Sequence, residues 1–299
     1  MTASDVRTDP EAGQAVERIP WPAALFGLIA RYPLGAAGAF VVLAMTFAAV
    51  FAEVIAPYDP ENNAYEDMFT APGARYWLGT DDFGRDILSR IIYGSRTALF
   101  VGFVAAFVGA TGGLVLGVAS AYFGGWFDLI LQRVMDVFMA FPLIILALAV
   151  VAVLGPGIDK VIIAITIPFI PQCARVVRSS ALAIREIPYV DAARACGFSH
   201  TRIIMRHMVP NVMAPYLIMI TSFVGQAILL EAVLAFLGLG VQEPTPAWGL
   251  MLKSGAEEYA ESAPWIPIFP GIAISLAVFG FNLFGDALRD ALDPKLRSQ

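Results

Sequence analysis

Residues 185–213 read REIPYVDAARACGFSHTRIIMRHMVPNVM, a polar stretch between two hydrophobic blocks. It carries Arg185, Arg194, Arg202, Arg206 and both histidines of the chain, His200 and His207. A break of this kind in a hydrophobic chain is a loop that stays in water. Locally it reads as two short helices. Pro188 suits a first helical position, and Gly197 suits the left-handed stop after 189–196. Ser199 can then cap a second helix that ends near Pro210. Ala192, Ala193 and Ala195 keep the surface of the first helix thin, so the backbone of another protein can approach closely. An amphipathic loop lying on a membrane surface would show the same pattern.

The blocks on either side set the class. The chain has 299 residues, 58% hydrophobic and 15% charged, with mean hydropathy +0.71. Soluble domains carry about 25% charged residues. These values imply an integral membrane protein. The net charge of −6 and the lack of a basic cluster outside the loops exclude nucleic acid as a partner. Cys173 and Cys196 cannot make a disulfide framework, and both fall on the side assigned below to the cytoplasm, so reduced thiols are expected. His200 and His207 have no third ligand nearby, which argues against a metal site.

Hydropathy divides the chain into a tail, 1–33, and a six-span domain, 34–299. The expected spans are 34–56, 98–122, 129–154, 158–177, 212–239 and 266–288, each near the roughly 20 residues that a bilayer requires. The tail is polar and mixed in charge, and is expected to be disordered and cytoplasmic. It is too long for the n-region of a cleaved signal. Segments 57–95 and 240–265 are acidic and expected on the outer face. Phe83, Ile87, Leu88, Ile91 and Ile92 recur at helical spacing, which predicts an amphipathic helix over 78–96, lying along the outer surface. Residues 97–127 hold no charge, and Gly113 and Gly117 form a G-x-x-x-G of the kind that lets helix backbones touch. Pro142 predicts a kink in the third span.

Six spans put both termini on one side. Thirteen basic residues fall on that side with the 178–211 loop, against six on the other, so the positive-inside rule makes the termini and the loop cytoplasmic.

Catalytic chemistry finds little support. Lys160, Lys253 and Lys295 follow Asp159, Leu252 and Pro294, so there is no P-loop, and ATP-driven work must come from a partner. No H-E-x-x-H, G-x-S-x-G or Cys/His cluster is present. Polar groups inside spans are costly and usually face the bundle interior or water. Gln226 and Glu231 on the fifth span are thus candidates for a translocation path, with a structural hydrogen bond between helices as the alternative. Arg133 and Asp136 read as an ion pair with each other or a neighbour. Asp81, Asp82 and Asp86 are candidates for facing a receptor or substrate, with a solvated acidic face as the commoner explanation.

Asp191-Ala192-Ala193, then Gly197, then Val209-Pro210, resembles the "EAA…G…LP" loop of ABC-importer permeases, in which a short coupling helix sits in a groove of the cytoplasmic ATPase. Asp191 stands where that family usually has Glu, and His207 where Ile is common. Residues 78–96 (LGTDDFGRDILSRIIYGSR) and 231–249 (EAVLAFLGLGVQEPTPAWG) look like the peptide/nickel branch. The resemblance covers most of the chain after residue 30. It implies an all-α, six-span type I ABC-importer permease: a five-helix core plus one N-terminal span in a bacterial-type inner membrane. It implies import of dipeptides or oligopeptides, with nickel chelates and glutathione-like compounds as alternatives inside the branch. The implied partners are a second homologous permease subunit, two ABC ATPase subunits or domains and an extracytoplasmic substrate-binding protein. ATP and Mg would be bound by the ATPases, with no cofactor in this chain. An ion-coupled secondary transporter is the rival class, resting on Glu231 alone. A polytopic membrane enzyme would need a catalytic constellation that the sequence does not offer.

Overall fold

A computed structural model describes residues 31–292. Residues 1–30 of the expected disordered, cytoplasmic tail lie outside the described residues. Among the described residues the regular elements are helical, beside one isolated bridge between Thr80 and Asp86. In chain order they are α1 (Pro33–Val50), α2 (Ala52–Ile55), α3 (Ile87–Phe123), α4 (Gly125–Met139), α5 (Leu143–Leu154), α6 (Ile158–Arg185), α7 (Pro188–Ala195) and α8 (His200–Ile203). A π-helical turn (Ile204–Met208) and a 3-10 turn (Val209–Val212) then join α8 to α9 (Met213–Phe236), followed by α10 (Trp248–Glu258) and α11 (Trp265–Leu292).

Five helical runs are long and apolar enough to cross a bilayer, and the bent pair α4–α5 makes a sixth when counted as one span. The long helices alternate in direction, so the chain has two ends. Residues 51–86 and 237–264 gather at the acidic end; residues 186–212 lie at the basic end. The bent pair α4–α5 crosses between α3 and α6, so alternation sets these two side by side in the same direction. α3 and α6 run parallel, because Gly109, Gly113 and Gly117 meet Phe169, Cys173 and Ala174 in rising order. A Cβ built on Gly113 would stand 2.5 Å from Cys173 Cβ and 2.8 Å from Ala174 N. Only glycine lets the two backbones close to that distance, and lipid provides no hydrophobic drive to replace the lost contact. Pro168 and Pro171 are buried within α6. Prolines are tolerated inside such helices because neighbouring groups satisfy the freed carbonyls.

Three expectations differ from the structure. No helix covers 78–86. Asp81 Oδ1 accepts from the N–H groups of Phe83 and Arg85 at 2.9 and 2.8 Å, Gly84 has φ +74, and a Cβ there would meet Ala64 O at 1.9 Å. The chain is therefore turned until Asp86, which caps α3 by accepting from Ser89 N at 2.8 Å. From there α3 runs unbroken for 37 residues, about 55 Å at 1.5 Å per residue. Second, the helix begun at Ser199 does not end near Pro210. The π turn widens the helix just ahead of the proline, and the chain continues helically from His200 to Phe236. Third, the expected kink at Pro142 is a break: α4 and α5 meet at 89°. α5 alone reaches about 18 Å, too short for a hydrocarbon core of about 30 Å. α4 lies across the basic end, held by Asp128 to Arg178 (2.5 and 2.7 Å) and by Asp136 to Arg175 (2.5 Å), with Arg133 3.6 Å from Asp136. Its other face, including Trp126 and Ile130, is exposed.

Candidate coupling and translocation site

α7 is eight residues long and owes its ends to local chemistry. Pro188 occupies the first turn, where its missing N–H is no loss. At the other end Gly197 N–H donates to Arg194 O at 2.9 Å, and Phe198 N–H donates to Ala193 O at 3.2 Å. This paired pattern is a Schellman stop, and Gly197, at φ +73, holds the left-handed position it demands.

The helix presents two faces. Val190 and Ala193 are buried in the chain's own core, whereas Asp191, Ala192 and Ala195 are exposed. Ala193 is thus part of the seat of the helix and not of the thin outer face on which the sequence places it. Val209 is half-buried and Pro210 exposed.

Side chains tie α7 to two long helices. Asp191 holds Arg194 at 3.0 Å, and the Arg194 guanidinium lies over the Tyr122 ring, 5.3 Å from its centre, at the end of α3. The Tyr122 hydroxyl in turn shares a 2.7 Å hydrogen bond with His200 Nδ1. Toward α9, Tyr189 Oη donates to the His207 carbonyl at 3.1 Å, and Asn211 Nδ2 donates to the same carbonyl at 2.7 Å. Sequence reasoning passed over Tyr122, Tyr189, His207 and Asn211 as functional residues. The available signal was an amide placed directly after Pro210, where a helix needs an extra donor.

At the acidic end the three aspartates do not form an open face. Asp81 and Asp86 are buried, and the receptor-facing role expected for them is corrected by what they hold. Asp81 Oδ2 accepts from Arg85 Nε at 2.7 Å and lies 3.6 Å from Arg90 Nε, while Asp86 caps α3. Arg85 Nη1 donates to Glu243 Oε2 at 2.6 Å, and Arg90 Nη2 lies 3.5 Å from Glu243 Oε1. Two guanidiniums and two carboxylates therefore join the start of α3 to the loop after α9. Asp82 is half-buried; burial, then the neighbouring Asp81 carboxylate, push its carboxyl above the ordinary range. Trp248 Nε1 donates to Ile91 O at 2.9 Å and Trp265 Nε1 to Thr80 O at 3.2 Å, closing the same end.

The structure separates Gln226 from Glu231. A step of five residues on a helix turns them about 140° apart. Gln226 is exposed, whereas Glu231 is 1% exposed and its Oε1 has no hydrogen-bond partner.

Residues 113–298 match the family described as binding-protein-dependent transport system inner membrane component. The chain belongs to that family of transport permeases. Residues 29–72 of the permease also match the N-terminal transmembrane domain of oligopeptide transport permease C. A dipeptide transport system permease protein, DppC, of Alkalihalophilus pseudofirmus is 42% identical over 298 residues, covering 100% of this permease and 97% of the relative. A glutathione transport system permease protein, GsiD, of Escherichia coli is 42% identical over 281 residues, covering 94% and 92%. Among solved structures, the inward-facing MetNI methionine ABC transporter superposes with TM-score 0.56 at 19% identity, covering 69% of the permease and 98% of that chain. The fold is the type I ABC-importer permease fold, and the permease is an inner membrane component of a binding-protein-dependent transport system.

Proposed function

We propose that this chain is the transmembrane subunit of an ATP-driven importer that moves dipeptides or oligopeptides into the cytoplasm. The observation that carries the coupling half of the reading is α7: a stopped helix at the basic end whose outward face is Asp191, Ala192 and Ala195. A face of such small side chains admits a groove of an ATPase to close backbone distance. The peptide half rests on the DppC relative, which matches over the whole chain. The GsiD relative favours a second reading, import of glutathione, itself a small peptide.

In this reading two ATPase subunits bind ATP and Mg, a second homologous permease completes the path, and an extracytoplasmic binding protein delivers substrate to the acidic end. The basic end and both termini face the cytoplasm, in line with thirteen basic residues against six. Glu231 and Gln226, on different faces of α9, serve the path in different ways. Gln226 is available to it directly, and Glu231 acts from within the bundle.

The test uses the complex purified from native membranes with its ATPases. Substrate-loaded binding protein should stimulate ATP hydrolysis with dipeptides or glutathione and not with nickel chelates. Ala192→Arg should release the ATPase subunits, because an exposed thin face becomes thick and charged. Gly197→Val should do the same by forcing a β-branched residue into φ +73, at a cost of about 1 kcal/mol or more. Ala193→Arg, by contrast, should fail to fold, since Ala193 is buried. Full retention of ATPase by both Ala192→Arg and Gly197→Val refutes the coupling assignment.

A further inference from the structure

We infer that Tyr189, Asn211 and the backbone carbonyl of His207 form the joint through which movement of α7 reaches α9. The inference rests on the reading of α7 as the ATPase-docking helix. It begins from an irregularity. His200–Phe236 is one helical run, yet it is wide at Ile204–Met208 and tight at Val209–Val212. Pro210 has no N–H to give and its ring crowds the turn before it, so the regular ladder is interrupted there. A π turn next to a tight turn marks a place where a helix changes register at small cost.

At that place the donors come from side chains. The Asn211 amide donates 2.7 Å to the His207 carbonyl and 3.1 Å to the Tyr189 hydroxyl, and the Tyr189 hydroxyl donates 3.1 Å to the same carbonyl. The three groups close a triangle with one corner on α7 and two on the α9 run. The His207 ring is packed between Tyr189, 5.8 Å between ring centres, and Phe198, stacked at 6.2 Å. Its Nε2 is buried without a hydrogen-bond partner, and the two flanking rings make it a spacer between α7 and the loop that follows it. A pull on α7 therefore arrives at a carbonyl inside the irregular turn of the α9 run. Tyr189 and Asn211 are positioning residues: they touch no nucleotide or substrate and act by transmitting displacement.

The experiment compares Tyr189→Phe, Asn211→Ala and their combination in the assembled complex, reading three quantities: ATPase subunits retained, the ratio of stimulated to basal hydrolysis, and substrate moved per ATP. Tyr189→Phe keeps the ring packing and removes only the hydroxyl. Each single variant should retain its ATPases and lose about fivefold in transport per ATP, the factor carried by one net hydrogen bond. The double variant should lose no more than Tyr189→Phe, which by itself removes both hydrogen bonds that reach α7. Asn211→Gln, which keeps an amide donor, should recover part of the loss. Wild-type transport per ATP in Tyr189→Phe overturns the joint. So does a parallel loss of ATPase retention and transport in both single variants, which marks a merely structural contact. Failure of the docking reading shows elsewhere, as retention of ATPase by Ala192→Arg, so the two outcomes are distinct.

Discussion

Gly113→Ala puts a single methyl group into the α3–α6 seam. Its Cβ would lie 2.5 Å from Cys173 Cβ, 2.8 Å from Ala174 N and 2.8 Å from Ile170 O. Carbon atoms rest at about 3.5–4.0 Å, so the gap must open by about 1 Å. Two of the three obstacles are backbone atoms of α6, which no rotamer change can move, so the helices themselves must separate. Overpacking of this kind costs about 1–3 kcal/mol. Separation also loosens the seam at Gly109 and Gly117. Against this stands the helix-propensity gain of about 1 kcal/mol for Gly→Ala. Gly112→Ala is the internal control, one residue away on the same helix. Its Cβ meets only Ile170 side-chain carbons, at 3.2 Å and beyond, and a flexible side chain can yield. Gly112→Ala should therefore be neutral or stabilising, and Gly113→Ala less stable than it by about 1–3 kcal/mol. The assay is thermal unfolding of the detergent-solubilised complex, followed by size-exclusion chromatography, with expression level as a second measure. A melting temperature of Gly113→Ala at or above that of Gly112→Ala refutes the claim that this seam is closed at backbone contact.

Four further outcomes are expected. Ala74→Cys, exposed at the acidic end, should react with an impermeant thiol reagent in intact cells, whereas native Cys196 should react only after the membrane is opened; the reverse pattern inverts the orientation. Glu231→Gln should assemble normally, since it replaces an ionisable group at a fully buried site by a neutral one of the same shape, and should alter the transport rate; wild-type transport at wild-type expression would leave Glu231 a structural role only. Asp82→Asn should raise thermal stability near pH 7: the folded-state carboxyl is raised, so its ionisation opposes folding above the ordinary carboxylate range, and the gain should vanish below about pH 4. Glu243→Gln leaves two guanidiniums facing Asp81 alone, one of them on buried Arg90, and should lower stability by about 1–3 kcal/mol, the smaller end reflecting the 43% exposure of the Glu243 side chain; unfolding at the wild-type temperature would show that solvent carries that charge balance instead.

What sequence reasoning could reach depended on the range of the forces involved. Pro188, Gly197 and Ser199 act within one turn of themselves, and each stands where its chemistry put it: first turn, left-handed stop and helix cap. The hydrophobic blocks were equally legible, since bilayer length is a property of composition. The 78–96 stretch misled because its apolar spacing is helical while its turn is dictated from outside. Gly84 sits against Ala64, and Arg85 reaches Glu243 across 158 residues. Periodicity carries no record of either partner. Ala193 shows a different limit. On a helix of eight residues, three alanines give no phase, and only the neighbouring core fixes which of them points inward. Asp81 and Asp86 read as surface acids for the same reason: their charge was visible and the arginines and helix end that claim it were not.

The attachments of α7 divide the bundle into two mechanical bodies. α3 and α6 touch through backbone along the glycine seam, so they can move only together. α9 meets that pair through side chains instead, with Phe223 stacked on Phe169 at 4.1 Å and Ile228 Cγ1 facing Gly102. Side chains can slip between rotamers where backbones cannot. α7 holds both bodies at once. Arg194 binds it to Tyr122 of α3, and Tyr189 binds it to the π turn below α9. In the proposed cycle a displacement of α7 cannot be absorbed by the α3–α6 pair, which has no internal play. It must appear as motion of α9 against that pair. At the far end the Asp81–Arg85–Glu243–Arg90 cluster links α3 to the loop after α9, and Glu243 is the one member open to solvent. The acidic end is thus joined to the loop after α9 through one carboxylate that water can reach, a contact suited to opening when α9 is driven from the basic end.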